Sequence, residues 1–148
     1  MNDPQRLLME YLLAFHDPEK ASSLFADDGI FEMPYLVSLG LQPRHQGPDA
    51  IRGLISTVLE LYPDWKFDAT DVTVWIDTPT RAFAEYIAHP TAAATGRQVH
   101  HLLMGMIEVE NGQITRLREA LNTLAAAQAT LPHGAADVPA PGTEISSY

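Results

Sequence analysis

Hydrophobic and polar positions divide the chain into a first half with helical spacing and a second half with strand spacing. Residues 4–15 carry apolar side chains three and four positions apart and begin with Pro, which predicts an amphipathic helix. Residues 18–25 and 49–61 predict two more helices by the same signals. Between them, residues 30–35 predict a short strand and residues 36–47 predict an irregular loop.

From Trp65 onward, apolar positions alternate with polar ones, which is typical of strands that bury one face. The predicted strands cover residues 66–76, 81–89, 98–109 and 113–122. Asn111 and Gly112 separate the last two strands and permit the positive φ angles of a tight hairpin turn. Helices followed by consecutive antiparallel strands predict an α+β domain in which a curved sheet wraps around three helices.

Chain length and terminal composition predict one domain followed by a tail. The 148 residues are enough for one substantial core, and we expect a single domain over residues 1–131. Residues 124–131 predict a further turn of helix, and residues 132–148 are rich in Pro, Gly, Ala and Ser, which predicts a flexible tail. No apolar run reaches membrane-spanning length and the N-terminus does not resemble a signal peptide, so we expect a cytoplasmic protein without membrane contact.

Charge and residue types argue against several classes of function. The formal net charge is −10, a balance that repels phosphate backbones and therefore argues against nucleic-acid binding. Cysteine is absent, so a disulfide framework, a thiolate nucleophile and a Cys-ligated zinc are all excluded. The histidines lack the i, i+4 helical spacing of a metal site. We therefore expect neither a metal nor another cofactor.

The strand over residues 113–122 contains one carboxylate among apolar neighbours. Because strand side chains alternate, Glu119 shares a face with Leu117 and Leu121, and we expect this face to be buried. A buried carboxylate loses hydration, so its pKa rises toward the range useful for proton transfer near neutrality. Glu119 is therefore a candidate general acid or base. The alternatives are that Glu119 pairs with an arginine or lies at a hydrated strand end.

Two histidines are candidate partners of Glu119. By alternation, His89 shares a face with Ile87 and His101 shares a face with Leu103, so both could project into one pocket. A His and a Glu whose environments push their pKa values apart form an acid–base pair. The alternatives are that His101 faces solvent and that His89 only binds a nearby loop.

The geometry of the predicted hairpin limits how Glu119 and His101 can interact. Equal counting outward from the turn places Glu119 opposite Met104, so that its closest neighbours include Leu103 rather than His101. We therefore expect a substrate or a water molecule, and not a direct hydrogen bond, to connect the two side chains.

Five segments in a fixed order resemble the SnoaL-like branch of the NTF2-like superfamily. They are FADDGIFEMP, HQGPDAIRGL, YPDWKF, TGR and ENGQITRLREALN, and the resemblance spans residues 8–131. The PhzA/PhzB-like proteins and the limonene-epoxide hydrolases are the most similar in appearance. The resemblance implies a cone-shaped barrel, in which a strongly bent antiparallel sheet and three helices enclose one deep apolar pocket.

The resemblance also implies roles for particular residues. In the PhzA/PhzB-like proteins the acid of the last strand lies in an Arg-Glu-x-x-Asn setting, which this chain matches at Glu119. The pocket-facing positions of the preceding strand in these relatives correspond to His101 and Leu103 in this chain. The chain departs from the limonene-epoxide hydrolases, because residues 85–89 lack their Arg-x-Asp pair. It departs from the PhzA/PhzB pattern at Pro48, where those proteins have His.

Residues and resemblance together predict an enzyme that uses acid–base chemistry, as an isomerase, cyclase or dehydratase, on an apolar, cyclic small molecule. The alternatives are a non-catalytic small-molecule binder of the same fold and an epoxide hydrolase with an altered site. A homodimer is expected through the outer sheet face, where Ala82, Ala84, Met104 and Met106 are predicted to point outward. The candidate substrate-binding residues are Tyr11, Phe15, Phe31, Glu32, Met33, Tyr35, Trp65, Leu103 and Leu121.

Overall fold

The computed structural model describes residues 1–140, in which four helices accompany a six-stranded sheet. The helices are α1 (Asp3–Leu13), α2 (Pro18–Ser22), α3 (Pro48–Leu61) and α4 (Thr123–Thr130). The strands are β1 (Phe25–Glu32), β2 (Arg44–Gln46), β3 (Val72–Asp77), β4 (Arg81–Ala88), β5 (His101–Glu110) and β6 (Gln113–Leu121). Short 3-10 turns cover Pro34–Leu39, Ala69–Asp71 and Gly134–Asp137. The last turn falls within the predicted tail, of which residues 141–148 lie outside the described residues.

The helices begin within one residue of the predicted starts. Asp17 accepts a hydrogen bond from the Lys20 backbone N–H at the start of α2, and Asn122 accepts one from the Ala125 N–H at the start of α4. Helices α1 and α3 carry Pro in their first turn, where no intrahelical N–H bond is lost. The buried stripe of α1 consists of Pro4, Leu7, Leu8, Tyr11 and Leu12. Within residues 1–140 no helix is both long and apolar enough to cross a membrane.

The sheet is open, with the strand order β2-β1-β6-β5-β4-β3. Strand β1 runs parallel to β6, and the other neighbouring pairs are antiparallel. The predicted α+β class is confirmed, whereas a closed barrel and a wholly antiparallel sheet are not observed. The parallel pair is possible because most of the chain, including α3, separates β1 from β6 and supplies the long crossover that such a pair needs.

Element boundaries differ from the predicted ones around the first strand. The second helix ends at Ser22, and β1 begins at Phe25 instead of at Ile30. The pairing of β1 with β6 shifts register between Phe25 and Ile30, so the polar residues between them interrupt the alternation of buried and exposed positions. Gly29 is required in this stretch, because a Cβ there would lie 2.8 Å from the backbone oxygen of Ile114.

Other strand ends also differ from the predicted ones. Strand β1 ends at Glu32, because Pro34 begins a 3-10 turn and cannot donate to a ladder. The predicted loop over residues 36–47 contains the short edge strand β2. Strand β3 begins at Val72, after a 3-10 turn, and β5 begins at His101.

The hairpin between β5 and β6 turns where the sequence predicts it. Asn111 and Gly112 have φ angles of 52° and 74°, which confirms the turn. Close to the turn, a β-bulge leaves Thr115 on β6 without a partner on β5, so the register beyond it changes by one residue.

This bulge determines what lies opposite Glu119. The residue paired with Glu119 is Gly105, so the expectation of Met104 from equal counting is wrong by one position. Directly opposite residues share a sheet face, and Glu119 therefore lies on the face that also carries Leu103 and His101.

The inner and outer faces of β4 are the reverse of the predicted ones. Ala82 and Ala84 are 1% and 0% exposed, so they belong to the inner face and not to the outer one. Small side chains are suited to this position because α1 packs close to β4 and β5. Met104 does point outward and is 41% exposed, while Met106 on the same face is half-buried.

Candidate active site

A cavity of about 520 Å³ lies between the inner sheet face, α3 and α4. Its mouth is formed by exposed or half-buried residues of α3 and of the segment after β1, among them Leu41, Gln42, His45, Gly53 and Thr57. Its deep end is formed by buried side chains, among them Phe15, Tyr62, Trp65, Phe67, His101, Leu103 and Glu119. A mostly apolar cavity with a few polar groups is the common form of a small-molecule site.

Glu119 lies at the deep end with only 4% of its surface exposed. The Tyr86 hydroxyl donates a 2.5 Å hydrogen bond to Glu119 Oε1. This contact requires Gly105, which pairs with Glu119 on one side and with Ala84 on the other. A Cβ at Gly105 would overlap with the Tyr86 hydroxyl and lie 2.9 Å from its Cζ. Within residues 1–140, Glu119 Oε2 has no hydrogen-bond partner, so it is the oxygen available to a ligand.

Burial makes Glu119 a group that titrates near neutrality. Loss of hydration raises its pKa from 4.5 to about 7, while the hydrogen bond from Tyr86 acts in the opposite direction. Both protonation states are therefore populated near neutral pH, as general acid–base catalysis requires. Burial, and then the charge of Glu119, raises the pKa of Tyr86 and of Tyr11 well above the ordinary value, so both phenols stay protonated.

His101 lies at the same deep end and is fully buried. Its ring stacks on Trp65 with a centroid distance of 5.3 Å and an interplanar angle of 29°. Its Nε2 lies 3.5 Å from the Tyr62 hydroxyl oxygen. Burial, with a smaller contribution from His100, lowers the pKa of His101 to about 4, so the imidazole is neutral at neutral pH. Nδ1 has no hydrogen-bond partner within residues 1–140.

Glu119 and His101 line one cavity without a hydrogen bond between them in the described part of the chain. Gly105, which pairs with Glu119, lies four positions along β5 from His101, and this spacing corresponds to about 13 Å of strand. The two side chains therefore enter the cavity from separate positions along the sheet.

The predicted substrate-binding residues divide into two groups. Those that line the cavity are Phe15, Met33, Trp65, Leu103 and Leu121. Tyr11 and Phe31 belong instead to the core, where their ring centroids lie 6.1 Å apart. Tyr35 is 60% exposed, because it lies in a 3-10 turn and not in a strand.

Glu32 is also outside the cavity. It follows the inward-facing Phe31 on β1, so its side chain belongs to the outer sheet face, although it is fully buried. Its carboxylate oxygens lie 4.0 Å from Arg116 Nε and 3.8 Å from Arg118 Nε. Arginine pairing, the alternative considered for Glu119, thus applies to Glu32.

The prediction that His89 enters the pocket is wrong. His89 is exposed and lies against His100, with ring centroids 4.5 Å apart. In β4, which ends directly before His89, the inward positions are Ala82, Ala84, Tyr86 and Ala88. His89 is therefore on the outward-facing side of this strand. Two histidines in contact do not form a metal centre alone, and within residues 1–140 no group of three or more possible ligands lies together.

Tyr62, Tyr86 and Gly105 complete the site, although sequence reasoning does not identify them. Gly105 carries a usable signal, because a lone glycine inside an apolar strand often marks a close approach by another group. Tyr86 has a weaker one, as the large residue in a row of alternating alanines. Tyr62 follows α3 directly and has no signal beyond its residue type.

Several solved structures are similar to this chain in fold. A Bacillus subtilis protein proposed to be an isomerase gives a TM-score of 0.76 at 24% identity, covering 87% of this chain and 95% of that one. A phenazine biosynthesis-related protein from Pseudomonas aeruginosa gives a TM-score of 0.71 at 20% identity, covering 96% of this chain and 90% of that one. TerC, crystallised with polyporic acid, gives 0.73 at 14% identity, with coverages of 86% and 98%. Among curated proteins, no significant match is found.

A family model also matches the sequence directly. The model describes the SnoaL-like domain and matches residues 6–117, which is more than half of the chain. The matched part ends two positions before Glu119, so it contains β1 to β5 and most of β6 but not the candidate acid. By this match, and by the NTF2-like fold of its structural neighbours, the chain belongs to the SnoaL-like domain family.

Proposed function

We propose that the chain is an isomerase or cyclase that moves protons on an apolar, cyclic small molecule, with Glu119 as general acid and base. The observation that carries the proposal is the state of this carboxyl group. It is buried in an apolar cavity, Tyr86 holds Oε1, Oε2 has no partner within residues 1–140, and its pKa is about 7. The isomerase proposed for the Bacillus subtilis neighbour supports this class of chemistry, and the compound crystallised with TerC supports a small-molecule ligand.

In the proposed reaction, ionised Glu119 removes a proton from a carbon next to a substrate carbonyl. The electrons of the broken C–H bond form a C=C bond, and the carbonyl oxygen takes the negative charge. The protonated Glu119 returns its proton to a different carbon in an isomerisation. In a cyclisation the new carbon nucleophile attacks a second carbonyl of the same molecule, and Glu119 protonates the resulting oxygen. A carboxyl pKa close to the working pH suits both directions of transfer.

The developing negative charge on oxygen needs hydrogen-bond donors, because the rest of the cavity is mostly apolar. The Tyr62 hydroxyl is one candidate, since burial raises its pKa to about 12 and keeps it protonated. The neutral His101 ring is the other, because a neutral imidazole still carries one N–H. Both side chains line the deep end beside Trp65.

The test follows deuterium uptake at the acidic C–H positions of a cyclic ketone, 2-tetralone, in heavy water by proton NMR. The unmodified protein should accelerate uptake, and Glu119→Gln should lower this acceleration by ~10²–10⁴-fold, because Gln keeps the shape but cannot take a proton. Glu110→Gln, which changes an exposed carboxylate at the hairpin turn, is the matched control and should have no effect. Undiminished uptake by Glu119→Gln would sink the proposal.

A second variant separates proton transfer at Glu119 from a general loss of folding. Tyr86→Phe removes the hydrogen bond that lowers the pKa of Glu119. The pH profile of deuterium uptake should therefore move to higher pH in this variant, while a base elsewhere would leave the profile in place.

A non-catalytic binding protein of the same fold is the second candidate. It is favoured by the predominantly apolar lining and by the lack of a hydrogen bond between Glu119 and His101 within the described residues. This function predicts that 2-tetralone binds while its deuterium uptake stays at the uncatalysed rate in every variant.

A further inference from the structure

The deep end of the cavity has no group that can balance a negative charge on a ligand. The lining residues within residues 1–140 include no Lys or Arg, and their one carboxylate is Glu119. His101 does not supply a cation near neutral pH, because burial lowers its pKa to about 4. His45 lies at the mouth, where its Nε2 is 3.2 Å from the backbone oxygen of Gln42.

The wall of the deep end is aromatic. Besides the stacked ring of His101, Trp65 contacts Phe15, Tyr62 and Phe67, with ring centroids 6.0, 5.3 and 5.8 Å away. All five side chains line the cavity. Aromatic side chains favour offset or edge-on contact with another ring, so this wall is suited to a flat cyclic molecule.

We propose that the cavity selects a flat, ring-shaped molecule with an uncharged oxygen function at the end that meets Glu119, and that it excludes the same ring with a carboxylate there. A buried anion without a counter-charge loses its hydration and gains no compensating interaction. Ionised Glu119 would add repulsion to this loss. The inference rests on the proposed function only in taking Glu119 as the group that the substrate meets.

A positively charged ring is the main competitor of the neutral one. Aromatic faces attract cations, and ionised Glu119 would do the same. A bound cation would, however, stabilise the ionised carboxylate and lower its pKa, which removes the protonated state that a general acid needs. The neutral ring therefore agrees better with a carboxyl group whose pKa is about 7.

Three probes of nearly equal shape test the charge preference by isothermal titration calorimetry at mildly alkaline pH. They are 2-naphthalenemethanol, 2-naphthoate and 2-naphthylmethylammonium. The neutral alcohol should bind at least ~100-fold more tightly than the carboxylate. Equal or tighter binding of the carboxylate would overturn the inference, and so would tighter binding of the ammonium probe. Absence of binding by all three at millimolar concentration would overturn the ring-shaped class.

A pair of variants on α3 establishes that the alcohol binds in the cavity. Gly53 lines the mouth and a Cβ there would meet no atom within 4 Å, so Gly53→Leu fits the helix and narrows the opening. This variant should weaken binding of 2-naphthalenemethanol, whereas Glu60→Leu, on an exposed position of the same helix outside the lining, should not. Unchanged binding by Gly53→Leu would place the probe elsewhere and reject the inference.

The Glu119→Gln variant distinguishes this inference from the proposed function. It should still bind the alcohol, and it should discriminate less strongly against 2-naphthoate, because the repelling charge is gone. Normal deuterium uptake by Glu119→Gln, together with weaker discrimination against 2-naphthoate in the same variant, would reject the proposed function and leave this inference standing.

Discussion

At the scale of single residues, the candidate acid is oriented by a neighbour that has no side chain. Gly105 pairs with Glu119, and the space above it is occupied by the Tyr86 hydroxyl, which donates to Oε1. Any larger residue at position 105 would displace Tyr86 and leave Oε1 without its donor. The orientation and the pKa of Glu119 thus depend on a residue that has no functional group.

The raised pKa of Glu119 makes the stability of the protein depend on pH. The folded state binds the proton more tightly than the unfolded chain, with a pKa of about 7 against 4.5. The stability that this group contributes is therefore fully present below pH 4.5 and is lost as the pH rises through 7. The shift corresponds to about 3 kcal/mol of unfolding free energy. Glu119→Gln cannot ionise and should not show this loss.

Urea unfolding of the unmodified protein and of Glu119→Gln across this pH range measures how the free energy of unfolding of each depends on pH. His101 has the opposite effect, because its lowered pKa gives stability that is present above 6.5 and lost as the pH falls through 4. Both proteins contain His101, so its effect cancels in the comparison. An identical pH dependence in the two proteins would show that Glu119 is hydrated in solution.

At the scale of elements, the connection between β4 and β5 holds α4 against the cavity. The Arg97 guanidinium donates hydrogen bonds to the backbone oxygens of Gln128, Leu131 and Pro132. The Thr95 hydroxyl donates to the backbone oxygen of Ala129. Carbonyls at the end of a helix have no partners within the helix, so these donors complete α4. The TGR segment of the family resemblance therefore caps the helix that contributes Ala126 and Thr130 to the lining.

Removal of the Arg97 side chain should loosen α4 without disturbing the sheet. We expect Arg97→Ala to lower the free energy of unfolding by about 1–3 kcal/mol, since hydrogen bonds to charged groups are among the stronger ones. Amide hydrogen exchange measured by mass spectrometry should accelerate in residues 123–137 and remain slow in β5 and β6. The physical reason is that the last carbonyls of α4 lose their donors.

Two further arginine variants complete the test of α4. Arg97→Lys keeps the charge but has no planar group to reach three carbonyls, so it should show most of the same acceleration. Arg6→Ala is the control, because within residues 1–140 Arg6 pairs only with exposed carboxylates of its own helix. If exchange in residues 123–137 is the same in Arg97→Ala and in Arg6→Ala, the cap does not hold α4.

At the scale of the whole molecule, the outer sheet face exposes apolar side chains on β5 and on β3, two strands away. Leu102 and Met104 on β5 are 40% and 41% exposed, and Ile76 on β3 is 58% exposed. An exposed apolar area of this kind usually marks an interface, and the same surface used twice about a two-fold axis closes into a dimer. We propose a homodimer through this face.

Light scattering at micromolar concentration tests the dimer. The unmodified protein should give twice the mass of one chain, and Met104→Lys should shift it toward one chain, because a charge at the centre of an apolar interface is costly. Leu124→Lys changes a residue of similar character that lies on α4 and is 54% exposed, so it should leave the mass unchanged. A one-chain mass for the unmodified protein would refute the proposal.

The sequence by itself determined the features that depend on neighbours within a few positions. Caps and prolines at the helix starts, the turn at Asn111 and Gly112, and the burial of Glu119 all follow from local spacing and residue type. The ordered motifs were enough to indicate the SnoaL-like family, because they span most of the domain.

Only the tertiary structure decided which groups meet Glu119. Both faces of β4 carry apolar side chains, so their alternation did not reveal which face is inward; Tyr86 was missed and His89 was placed inside. The bulge at Thr115 changes the pairing of Glu119 by one residue, and the parallel β1–β6 pair joins strands from opposite ends of the chain. A strand face is buried by whatever packs against it, and these packing partners are distant in sequence.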